Sequence, residues 1–162
     1  MNLNEPNLNN TMTRKPHTIN RVFIGRLPSG VDLVGAITKI ANEEEITVGT
    51  VAVHGLVQRA VLTIQNQESK LSERVERDGG LEIAAMSGTI SQFKGRSLAR
   101  LNGVLATRDG ALIGGTVALG TLVHACEVVI TELHGATLSR DFDMETGLPL
   151  WKAASLLLSP GE

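Results

Sequence analysis

Hydrophobic and polar residues alternate along much of the chain in a way that predicts strands, with one stretch of helical spacing. From Thr18 to Leu27 the composition is β-like, with Val22, Phe23 and Ile24, and Pro28-Ser29-Gly30 ends the element. Leu33, Ile37, Ile40 and Ala41 then recur at helical spacing, so Asp32 to Glu43 reads as an amphipathic helix. Glu43-Glu44-Glu45 closes it; three like charges there oppose the helix dipole, which predicts a solvated, fraying end. Ile46 to Val53 and Leu56 to Ile64 read as two strands joined at His54-Gly55, and Ala60, Leu62 and Ile64 alternate with Val61, Thr63 and Gln65. Gln65 to Gly80 is charged and lacks a period, which suggests a surface excursion with room for a strand through Leu71 to Val75. Leu81 to Ile90 resumes the sheet, and Ser91 to Arg96 reads as a loop exposing Lys94 and Arg96.

Arg96 to Leu133 holds three apolar β-rich runs separated by glycine turns, and the candidate site gathers here. Arg108-Asp109-Gly110 lies between two such runs and marks a hairpin, whose register depends on the length of the loop. A three-residue loop with Gly110 left-handed sets Thr107 against Ala111, Asn102 against Thr116 and Arg100 against Ala118. Arg100, Asn102 and Thr116 then share one face. A two-residue Asp-Gly turn would instead move Thr116 to the other face. Downstream, Gly135 to Gly147 reads as a strand and turn. Leu148, Trp151, Ala154 and Leu158 suggest a short terminal helix or turn, with Trp151 packing in the core or at an interface.

Several of these residues carry a likeness to a known family. Glu82-Ile83, Ser87-Gly88-Thr89-Ile90, Val104-Leu105-Ala106 before Asp109-Gly110, Gly114-Gly115 and Glu127-Val128-Val129-Ile130 together resemble the plants-and-prokaryotes-conserved (PPC) domain. Phe23-x-x-Arg26-Leu27 and Arg140-x-x-Asp143-x-x-Thr146-Gly147-Leu148 fit the same pattern. The resemblance implies an α+β fold, a mainly antiparallel sheet with one or two packed helices, assembled as a homotrimer. It divides the chain into an N-terminal arm (1–17), the PPC-like domain (18–147) and a C-terminal segment (148–162) packing on the domain or on a neighbouring subunit. It also implies association with DNA or DNA-bound proteins, because plant members join the domain to an AT-hook. Thr13-Arg14-Lys15-Pro16 lacks the Arg-Gly-Arg-Pro core of such a hook. Many prokaryotic members resemble one another in a His-x-His pair before the hairpin and a Gly-Gly-His after it, a metal site. Here Arg100 and Asn102 stand at the pair and Thr116 at the third position. Arginine has no lone pair to give, and amide and hydroxyl oxygens are hard, weak donors, so no metal and no cofactor are expected.

With 162 residues and 42% hydrophobic content, one soluble domain with a real core is the expectation. A net charge of −2 supplies no field to attract nucleic acid, and 2% aromatic residues leave few platforms for stacked bases. One cysteine, Cys126, cannot form an internal disulfide, and no apolar run is long enough to span a membrane; the expected location is cytoplasmic. His124 and Cys126 alternate onto one strand face with Val128 and Ile130, which favours buried or subunit-facing residues over a metal site. Glu127 lies on the opposite face of an otherwise apolar strand and needs a partner or solvent, with Arg100 and Arg140 available. Arg100, Asn102, Thr116 and Glu127 therefore form the candidate ligand-binding set, a polar pocket near a subunit boundary for a small anionic metabolite. The competing reading is an ion pair that only fixes strand packing. No serine has a neighbouring His-acid pair and no glycine loop precedes a helix, so no catalytic residue is assigned.

Overall fold

A computed structural model describes residues 16–152. The helical period is realised as α1 (Leu33–Glu43), which buries Leu33, Val34, Ile37 and Ala41. Asp32 caps its start by accepting from the Gly35 N–H at 2.7 Å, and its second oxygen accepts from Gly120 N–H at 2.6 Å, tying the helix to a distant turn. The acidic end is closed rather than frayed. Glu45 takes φ +57, Ile46 N–H donates to Ala41 O, and Arg21 donates to the Glu44 carbonyl at 2.7 Å, supplying the positive charge that the helix end lacks.

Among the described residues, all other regular structure is strand: β1 (Thr18–Leu27), β2 (Gly49–Gln65), β3 (Ser72–Phe93), β4 (Arg96–Ala106), β5 (Leu112–Val117), β6 (Leu122–His134), β7 (Ser139–Asp143) and β8 (Leu148–Trp151). They hydrogen-bond in the order β1-β6-β2-β5-β4-β3-β7-β8, and a further β2–β3 pairing closes the stretch β2-β5-β4-β3 on itself. All pairings are antiparallel except β3–β7. The core lies between α1 and the inner sheet faces, where Val51, Val53, Leu62, Ile90, Leu101, Leu105 and Val123 are buried.

Four further expectations are corrected. His54-Gly55 is not a turn between two strands; β2 runs unbroken for 17 residues, and Gly55, at φ +121, is a bulge where a side chain would strike the Ala125 carbonyl. The polar stretch after Gln65 is mostly hairpin: β3 begins at Ser72 and continues for 22 residues, with an ion pair from Arg59 to Glu76 across the hairpin and one from Arg74 to Glu76 along β3. Its final part absorbs the expected Ser91–Arg96 loop, because Lys94 and Gly95 both take positive φ and make a two-residue turn. At the C-terminus, Leu148–Trp151 is a strand paired with β7, not a helix, since Pro149 and the β7 edge favour extended backbone. Residues 1–15 of the expected arm and 153–162 of the C-terminal segment lie outside the described residues.

Candidate functional site

The hairpin joining β4 and β5 decides the site. Thr107 N–H donates to Ala111 O at 2.8 Å, Gly110 N–H donates to Thr107 O at 2.9 Å, and Gly110 has φ +84. The loop therefore has three residues, and Asn102 pairs with Thr116. Register then extends sideways. Thr63 on β2, Thr116 on β5, Asn102 on β4 and Ser87 on β3 are successive cross-strand partners and form one polar row on a single face. Thr116 Oγ1 donates to Asn102 Oδ1 at 2.9 Å.

Around this row lies an open depression of about 540 Å³, lined by Thr63, Met86, Ser87, Asn102 and Thr116, with Gly115 in its floor. Gly115 is needed there, since a Cβ would sit 2.8 Å from the Thr63 carbonyl oxygen.

Arg100 shares the face of Asn102, two residues away along β4. The expected pairing with Ala118 does not form: β5 ends at Val117 and Ala118 N–H donates to Val61 O at 2.9 Å. Arg100 instead lies opposite Thr89 of β3 and turns away from the depression, its Nη1 donating to Pro149 O at 3.5 Å. There it meets Arg140, which sequence reasoning noted only as a motif residue and a partner for Glu127. Arg140 donates from Nε to Ser91 Oγ at 2.8 Å, from Nη2 to Thr89 Oγ1 at 3.0 Å and from Nη1 to Pro149 O at 3.0 Å, and its guanidinium lies 5.0 Å from the Trp151 ring centre. Burial pulls the Arg100 guanidinium below its ordinary pKa, and burial followed by the charge of Arg100 does the same to Arg140.

Glu127 stands elsewhere. It is exposed on β6, with Arg26 and His54 as its cross-strand neighbours, and β2 and β5 separate β6 from β4 in the sheet. The expected shared face of His124 and Cys126 is also corrected. A bulge opposite Leu56 and Val57 gives β6 an extra residue at His124, which is exposed, while Cys126 is buried with its thiol 3.2 Å from Leu56 O. Burial pushes that thiol up.

The architecture is that of a small β-rich domain: a self-closed, mainly antiparallel sheet covered by one helix among the described residues, with a polar row on its open face. The chain belongs to the Plants and Prokaryotes Conserved (PCC) domain family, whose model matches residues 14–134; this is the PPC domain under its other abbreviation. A metal-containing protein of Archaeoglobus fulgidus is 32% identical and superposes with a TM-score of 0.82 over 87% of this chain and 99% of that one. A PPC protein of Pyrococcus horikoshii is 22% identical, with a TM-score of 0.82 over 87% and 97% of the two chains. A candidate DNA-binding protein of Bacteroides thetaiotaomicron is 18% identical, with a TM-score of 0.76 over 85% and 98%. No functionally curated protein matches in sequence.

Arg100, Asn102 and Thr116, which the resemblance sets against a histidine metal site, do not fit a metal here. Asn102 Oδ1 is already committed to the Thr116 hydroxyl, Arg100 is a cation, and no group of three His, Cys, Asp or Glu side chains suited to a metal occurs among the described residues. No helix among the described residues is long and apolar enough to cross a membrane.

Proposed function

We propose that this chain is a self-assembling PPC-domain binding module, a homotrimer that acts in the cytoplasm in association with DNA or DNA-bound proteins and carries no AT-hook of its own. The observation that carries self-assembly is the outer face of the β4–β5 hairpin. Val104 and Leu112 stand there 38% and 64% exposed, on the same face as Asn102 and Thr116. Apolar side chains among hydrogen-bonding groups are the mixture that subunit interfaces use. Family membership and the DNA-binding descriptions given to relatives of this fold support the DNA part. The net charge of −2 favours contact through a DNA-bound protein over contact with the duplex itself.

Native mass spectrometry tests assembly, with a mass of three chains expected and a monomer at micromolar concentration refuting it. A gel-shift titration tests duplex contact: binding at low ionic strength that fades steeply with salt would mean that the protein touches DNA directly, through phosphate contacts. A second reading, small-molecule binding, draws support from the depression over Asn102 and Thr116, and a retained ligand found by mass spectrometry of the purified protein would establish it.

A further inference from the structure

Two guanidiniums approach each other in this fold with no carboxylate between them. Arg100 on β4 and Arg140 on β7 reach from either side of β3 to the same acceptor, Pro149 O. With the shared oxygen 3.5 Å from Arg100 Nη1 and 3.0 Å from Arg140 Nη1, the two guanidiniums lie close enough for half-buried like charges to repel. Arg21, Arg59 and Arg74 are matched by carboxylates, and the described arginines without an ion pair at positions 26, 77, 96 and 108 are exposed to solvent, whereas Arg100 and Arg140 are half-buried. Neither Arg100 nor Arg140 has an ion-pair partner among the described residues. Arg140 is locked in place by Ser91, Thr89, Pro149 and the Trp151 ring. Arg100 makes only the long bond to Pro149, so most of its five N–H donors have no protein acceptor among the described residues.

We propose that Arg100 and Arg140 form a clamp for a small free oxyanion, the carboxylate or phosphate group of a metabolite. Arg140 is the fixed jaw and Arg100 the jaw that turns onto the ligand. Guanidiniums present parallel N–H donors that match both kinds of oxyanion, and a bound anion replaces the like-charge contact with two attractions. The clamp rests on the small-molecule reading above, but it moves the charged end of the ligand from the Asn102–Thr116 row to the opposite side of Arg100. A carboxylate carried by a second copy of the chain has the same chemistry, and the experiment separates the two sources.

Trp151 is the only tryptophan and lies against Arg140, so its fluorescence reports on the clamp. The full-length protein is titrated with inorganic phosphate, with sodium chloride at matched ionic strength as control. A saturable fluorescence change with phosphate alone is expected. Arg100→Gln, which disturbs only one long hydrogen bond, should weaken it by about tenfold or more, as expected for removal of a charge-assisted contact. Arg140→Gln should abolish it, with circular dichroism checking that this variant is folded. An identical response to chloride, no response, or unaltered phosphate affinity in Arg100→Gln overturns the clamp. Absence of a phosphate response together with a smaller native mass for Arg100→Gln overturns it in favour of a second copy's carboxylate. A response lost in Asn102→Ala but kept in Arg100→Gln overturns the clamp while leaving the small-molecule reading intact.

Discussion

Gly88 illustrates how a single side chain's absence is fixed by what lies across the sheet. It pairs with Leu101, and a Cβ placed on it would overlap the Arg100 carbonyl oxygen and come within 2.6 Å of a Leu101 methyl group. Gly88→Ala is therefore expected to cost about 1–3 kcal/mol through overpacking. Gly25→Ala, where nothing lies within 4 Å, should change stability by no more than about 0.5 kcal/mol. Urea denaturation of the two variants makes the comparison. Glu132 is a second case. Its carboxylate is buried and accepts from Arg21 Nε at 2.5 Å and Asn20 Nδ2 at 2.9 Å, and the Arg21 hydrogen bond holds its pKa below the ordinary value of 4.5. A carboxyl more acidic in the folded than in the unfolded state stabilises the fold above the unfolded pKa, and that contribution is lost as pH falls through the folded one. Stability should thus decline below about pH 4.5, and Glu132→Gln should flatten that acid limb when unfolding is measured from about pH 6 to 3.

Among the elements, α1 and β4 depend on each other in a way that neither segment announces. Beyond Asn102, β4 loses its β5 neighbour and exposes a strand edge. Side chains of α1 pair with it: the Asn42 amide donates to Ser97 O at 2.8 Å and accepts from Ser97 N–H at 3.2 Å, while Thr38 Oγ1 accepts from Ala99 N–H at 3.2 Å. Two polar residues one helical turn apart thus take the place of a missing strand. Asn42→Ala should cost about 1–3 kcal/mol, the penalty for leaving half-buried backbone groups unpaired. Hydrogen exchange should show the Ser97 amide losing protection ahead of those at the centre of β4. The helix itself was legible from the spacing of Leu33, Ile37 and Ala41. Its second role was not, because Thr38 and Asn42 read as ordinary polar-face positions until β4 is placed beside them.

In the molecule as a whole, the outer face of β4 and β5 is the surface on which the proposed assembly depends. Leu112→Glu puts a charge on that face without touching the core, since Leu112 is exposed. It should shift the native mass from three chains to one with an unaltered circular dichroism spectrum, because an uncompensated charge is costly to desolvate in an interface.

Local pattern alone determined α1, the strand character of most of the apolar runs, the three-residue loop as one of two registers, and the side-by-side placement of Asn102 and Thr116 that follows from it. Those features depend on neighbours in sequence or on a single hairpin, where period and turn chemistry suffice. Tertiary structure decided the rest. The bulges at Gly55 and His124 arise from fitting strands to partners far along the chain and change which side chains face inward. Glu127 was separated from Arg100 by strand order, and Arg140 was brought to Arg100 by the parallel pairing of β7 with β3, contacts between segments that no periodicity can link.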